Sequence, residues 1–95
     1  MGARIFDLRK RLGVLLGRDV STREVDRAAK IAPGYTWALE TGVRPNPAAW
    51  VVKNVADAFG ATTDYVMAGK GEGPTDDAMK TAYQAAISAG TVEEG

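Results

Sequence analysis

The sequence predicts an all-α fold, and three observations carry that expectation. Apolar residues recur with a period near 3.6 in successive short stretches. Helix start and stop signals (Ser21, Pro33, Gly42, Pro47, Gly60, Thr62) separate those stretches. No run alternates polar and apolar residues as a half-buried strand would, and no internal repeat is present.

In "RIFDLRKRLGVLLG", Ile5, Leu8, Leu12, Leu15 and Leu16 share one face while Arg4, Asp7, Arg9 and Arg11 lie elsewhere. This spacing predicts a first helix over roughly 4–16. Gly13 should weaken it by about 1 kcal/mol relative to alanine, and Gly17 should end it. Ser21 is a natural N-cap for a second helix, with Glu24 completing a capping box and Val20 and Val25 at staple spacing. That helix should end near Lys30, with Val25, Ala28 and Ala29 facing inward. A third helix is expected over 33–41, with Pro33 at its first position and Gly42 terminating it. Leu39, with Thr36 beside it, faces inward, leaving Tyr35, Trp37, Ala38 and Thr41 on other faces. Pro47 starts a fourth helix with Val51 or Val52, Val55, Ala56 and Phe59 as its apolar stripe. Thr62 caps a short fifth helix in which Tyr65, Val66 and Met67 close the core. "GKGEGP" forms a flexible break, and a linker is expected over 70–75. A sixth helix over 76–89 follows, and residues 90–95 form a frayed tail. Asp76 and Asp77 favour the start of that sixth helix through its dipole.

Composition narrows the function. Ninety-five residues with 45% apolar side chains make one small domain, whose core is modest because a chain this short buries only about 60% of its unfolded surface. There is no cysteine, hence no disulfide or thiolate metal site, and no histidine, the commonest general base and metal ligand. "AGKGEG" lacks the upstream glycine and the Ser/Thr of a phosphate-binding loop. Asp76 and Asp77 are adjacent on a helix, so they point apart and form no carboxylate pair. An enzyme is therefore not expected, nor any cofactor, metal or small-molecule ligand. No apolar run reaches the roughly 18 residues of a membrane span, and "MGARIFDLRK" lacks a signal-peptide core. Phe6 stands where myristoylation needs Ser or Thr. A cytoplasmic, nucleoid-associated protein is the expectation.

The net charge of zero conceals an asymmetry. Residues 1–53 hold ten Lys/Arg and five Asp/Glu; residues 54–95 hold two and seven. Such a division points the first half towards a polyanion. Two short helices joined by a tight turn, the second bearing exposed aromatics, describe a helix-turn-helix, whose second helix enters the major groove of DNA. Tyr35 and Trp37 would then make apolar contacts with thymine methyls and hydrogen bonds to phosphate. Arg44 and Asn46, in a loop stiffened by Pro45 and Pro47, and Thr41 would contact phosphates.

From Phe6 to Gly71 the chain resembles the Cro/C1-type (XRE) regulators. "ETGVRPNP" matches their glutamate-x-glycine-basic-loop-proline run, and "VADAFGATTDYVM" matches the end of their domain. Val25 and Glu40 keep the family's separation. The resemblance implies a five-helix lambda-repressor-like DNA-binding bundle over 1–69, with the sixth helix as an addition. It implies base reading from Pro33, Gly34 and Ala38, and a phosphate clamp at Thr22 aided by Arg23. It also implies a pairing of Glu40 with Arg9 or Arg11. Asp26, where these regulators carry alanine, and Lys30, where they carry glycine, are departures. The function implied is that of a sequence-specific transcriptional regulator, such as a phage immunity repressor, that binds palindromic double-stranded DNA operators as a homodimer. The Met79, Tyr83, Ala86 and Ile87 stripe needs burial, and a second copy is its expected partner, which makes the sixth helix the dimerisation element, with folding back onto the chain's own bundle as the alternative. A protein-interaction module, such as an antitoxin or anti-repressor, is the alternative.

Overall fold

The structure, a computed structural model, describes residues 1–44 and 46–94, with backbone alone for 90–94. Six helices follow one another: α1 Gly2–Leu16, α2 Thr22–Ala29, α3 Tyr35–Thr41, α4 Ala49–Ala58, α5 Thr63–Ala68 and α6 Asp76–Glu94. No strand occurs among the described residues.

α1 buries Ile5, Leu8 and Leu12, the stripe the period predicts. It ends at Gly17, whose left-handed φ of 71° lets the Arg18 N–H return to the Gly13 carbonyl. This also accounts for Gly13: a Cβ there would lie 2.9 Å from the Arg18 carbonyl oxygen. The glycine weakens the helix but lets the following loop cross it closely.

The Ser21 hydroxyl accepts from the Glu24 N–H at 3.1 Å, capping α2. Val20 and Val25 are both buried, as the staple spacing predicts. Lys30 adopts the left-handed conformation, with φ 58°, at a cost of about 1–2 kcal/mol. Thr62 caps α5 by accepting from the Tyr65 N–H at 3.1 Å. Arg4 reaches across from α1 and donates to the Val66 and Met67 carbonyls at 3.1 and 2.9 Å, capping the other end of α5.

Several boundaries differ from expectation. α3 begins at Tyr35, and Pro33 belongs to the preceding turn. α4 begins at Ala49, after Pro47. Val51 and Val52 are both buried, because α4 packs against α2 on one side and against α5 and α6 on others. Met67 is 56% exposed, so Val66 closes the core, with Tyr65 packed at its edge. α6 continues to Glu94. The side chains of the expected frayed tail, and Gly95 entirely, lie outside the described residues, as does Pro45.

The largest correction concerns α6. It packs on α1, α2 and α4. Met79 and Tyr83 are wholly buried in the single core, and Tyr83 stacks on Phe59 with ring centroids 6.4 Å apart. Ala86 and Ile87 are half-buried against the same core. Of the two possible partners for this stripe, the chain's own bundle takes it, so Met79 and Tyr83 present no surface to a second copy. The segment before α6 is also tied down: Arg11 donates to the Pro74 carbonyl and to Asp76, both at 2.7 Å. Among the described residues no helix is long and apolar enough to cross a membrane.

Candidate nucleic-acid interface

The turn between α2 and α3 is organised by Asp26, a carboxylate only 1% exposed. Its two oxygens accept from the Gly34 N–H at 2.7 Å and the Thr36 N–H at 2.8 Å. α3 has no cap from its own sequence, since Gly34 at the N-cap (φ 92°) lacks a side chain. A residue of α2 therefore caps α3, and the angle between the two helices is set by charge-assisted hydrogen bonds. The departure at Asp26 is thus the fastening of the turn.

α3 turns Thr36 and Leu39 into the core. Ala38 is also buried, at 8% exposure, which removes it from the expected base readers. The chain reverses at Gly42 (φ 80°), after which the Arg44 N–H returns to the Ala38 carbonyl at 3.4 Å. Pro33 is exposed in the turn but offers no donor, and the Gly34 N–H is held by Asp26. The outward side of α3 is left to Trp37, 54% exposed, and to Tyr35, half-buried and packed at the core edge.

Arg44 lies over Tyr35, its guanidinium carbon 4.7 Å from the ring centroid, and donates to the Tyr35 hydroxyl at 3.2 Å. No carboxylate neutralises Arg44 among the described residues. The aromatic ring therefore orients a full positive charge without cancelling it. Asn46 is exposed beside it. The Thr41 hydroxyl donates to the Trp37 carbonyl at 2.9 Å, so its one proton is engaged within its own helix. Thr22 is half-buried and Arg23 exposed at the start of α2.

Two ion pairs brace this face from behind. Arg9 donates to both Glu40 oxygens, at 2.7 and 2.9 Å, and to the Val20 carbonyl at 2.8 Å. Arg9, rather than Arg11, is the partner of Glu40. The hydrogen bond to Glu40 raises the Arg9 pKa, against the effect of burial. At the start of α2, Arg18 donates to both Glu24 oxygens at 2.8 and 2.9 Å, and the Tyr83 hydroxyl donates to Glu24 at 2.8 Å. The Arg18 hydrogen bond, followed by that of Tyr83, holds the Glu24 carboxyl below the usual range although burial opposes it. Burial, reinforced by Glu24, pushes the Tyr83 phenol far above its ordinary value.

The positive balance of the first half is only partly available to a partner. Arg4, Arg9, Arg11, Arg18 and Lys53 are engaged by carbonyls or carboxylates. Outward charge near the turn comes from Arg23, Arg27 and Arg44, none of which forms an ion pair among the described residues. Arg27 was not singled out from sequence, although its i,i+4 spacing from Arg23 places both on one side of α2. Trp50, 56% exposed in the first turn of α4, and Val43, 63% exposed in the loop, also stand outside the predicted set. Both fall off the apolar stripes that direct attention to the core. Among the described residues, no group of three or more His, Cys, Asp or Glu is placed to hold a metal ion. No family model, curated protein or solved structure matches the chain.

Proposed function

We propose that the protein is a sequence-specific double-stranded DNA-binding transcriptional regulator. In this proposal it is a repressor-type five-helix bundle of the Cro/C1 kind, with α2 and α3 as its helix-turn-helix and α6 added as a buttress. The observation that carries the proposal is the assembly of Tyr35, Trp37 and Arg44 beside a turn fastened by Asp26. α3 enters the major groove, with Trp37 and the edge of Tyr35 against thymine methyl groups. Arg44 and Asn46 contact phosphates on one flank, and Thr22 and Arg23 at the α2 N-terminus contact them on the other. Such contacts fix register, while the aromatic pair selects sequence. One copy covers one half-site, and two copies on a palindrome sit about 34–36 Å apart. The α6 stripe is not available to join them, since Met79 and Tyr83 are buried.

The test is selection of bound duplexes from a random pool, followed by titration at several salt concentrations. Enrichment of a palindrome, with affinity falling steeply as salt rises, is the expected result. A pool that stays random, with no salt-dependent binding, overturns the proposal. The exposed Val43 and Trp50, together with the absence of donors at Pro33 and Gly34, favour one alternative. It is a protein-interaction module such as an antitoxin or anti-repressor, and it would give that second result.

A further inference from the structure

α2 carries two arginines, Arg23 and Arg27, and two carboxylates, Glu24 and Asp26. At such spacing on an isolated helix, these charges would offset one another. Tertiary contacts prevent it here. Glu24 is taken by Arg18 and by the Tyr83 hydroxyl of α6. Asp26 is taken by the Gly34 and Thr36 amides of the turn. Arg27 acts on Glu24 only through space, as a minor contributor. Both guanidinium groups are thus left without a carboxylate partner among the described residues. They flank a cleft of about 370 Å³ walled by Asp26, Ile31 and Pro33, opening beside the turn into α3. The one carboxylate in that wall, Asp26, is 1% exposed and accepts from two backbone N–H groups, and the two outward guanidinium groups outnumber its single charge, so the cleft stays net positive towards an anion.

We infer that the Arg23–Arg27 cleft is a phosphodiester subsite, in which Arg27 grips the DNA backbone at the turn between α2 and α3. This rests on the DNA-binding function proposed above and extends its contact surface along α2. Arg23 and Arg27 lie about one helical turn apart. They share this cleft, on α2 and the turn, whereas the Arg44 guanidinium stands over Tyr35 of α3 and Asn46 is exposed in the loop after that helix. A duplex lying along α3 would thus be held by its backbone from two sides. The contact carries no sequence information, because phosphates are the same at every base pair.

The experiment compares wild type, Arg27→Gln, Arg27→Lys and a Lys80→Gln control. Each is titrated with a selected duplex and a random-sequence duplex between about 50 and 200 mM salt. Arg27→Gln should weaken binding roughly five- to tenfold on both duplexes and reduce the slope of log affinity against log salt by about one. Arg27→Lys should retain the slope, and Lys80→Gln, on exposed α6 surface, should behave as wild type. An Arg27→Gln variant with wild-type affinity and slope overturns the subsite while leaving the DNA-binding function standing. So does a loss confined to the selected duplex, which would make Arg27 a base reader. Wild type that binds no duplex overturns both.

Discussion

A carboxylate buried in the middle of a short helix is strongly unfavourable unless its oxygens are bonded, and Asp26 bonds both. Replacing it with alanine leaves the Gly34 and Thr36 amides without their acceptor. Asp26→Ala should therefore lower stability by about 2–3 kcal/mol, read by urea melting, and a variant as stable as wild type would remove Asp26 as the cap of α3. The contacts of Glu24, with Arg18 first and Tyr83 second, make a different prediction, about pH. The Glu24 carboxyl is depressed below its ordinary value of 4.5, so the stability it contributes is present above that value. That stability declines as pH falls through the lowered pKa. The Tyr83 phenol is raised above its ordinary value of 10.0, so its contribution is present below that value and declines as pH rises beyond it. Glu24→Gln should flatten the acid limb of the stability profile, and Tyr83→Phe the alkaline limb. Limbs unchanged in both variants would mean that these contacts do not persist in solution.

At the scale of elements, the loop 17–21 and its neighbours act as a brace. Gly13→Ala is a substitution that ordinarily stabilises a helix by about 1 kcal/mol. Here the added methyl would meet the Arg18 carbonyl at 2.9 Å, and the loop would have to move. Its expected effect is a loss of roughly 1–3 kcal/mol, and a raised melting temperature would show that the loop yields freely. The Arg9–Glu40 pair links α1 to α3 with side chains only 12% and 7% exposed, well beyond the weak regime of surface pairs. Glu40→Gln keeps the shape but leaves the guanidinium short of a charge. A fall of about 1–3 kcal/mol in urea melts is expected, and one within the range of exposed surface substitutions would discount the pair.

At the scale of the whole molecule, α6 is part of the core. Met79 and Tyr83 pack with Phe59, Val55 and residues of α1 and α2 in one cluster. Removing everything after residue 69 would uncover that cluster in a chain already short of buried surface. A 1–69 fragment should lose cooperative thermal unfolding and near-UV circular dichroism, whereas a sharp melt would establish it as an independent domain. The same packing sets Tyr83 against Glu24, beside the Arg18 pair that keeps Glu24 from the α2 arginines. Deleting α6 should therefore alter the candidate interface as well as stability.

Helix order, the Ser21 and Thr62 caps, the end of α2 near Lys30 and the inward faces of α1, α2 and α4 were legible in the sequence. Periodicity and capping depend on residues only a few positions apart, so local chemistry determines them. The expected aromatic face of α3 also survives in Trp37 and Tyr35. The start of α3, the choice of Arg9 for Glu40 and the destination of the α6 stripe were not legible. Each depends on groups ten to sixty residues distant: Asp26 with Thr36, Arg9 with Glu40, Glu24 with Tyr83. Helical spacing indicates that a face must be buried, but not which face covers it. Net charge counts arginines, but only packing decides which of them keep their charge for a partner.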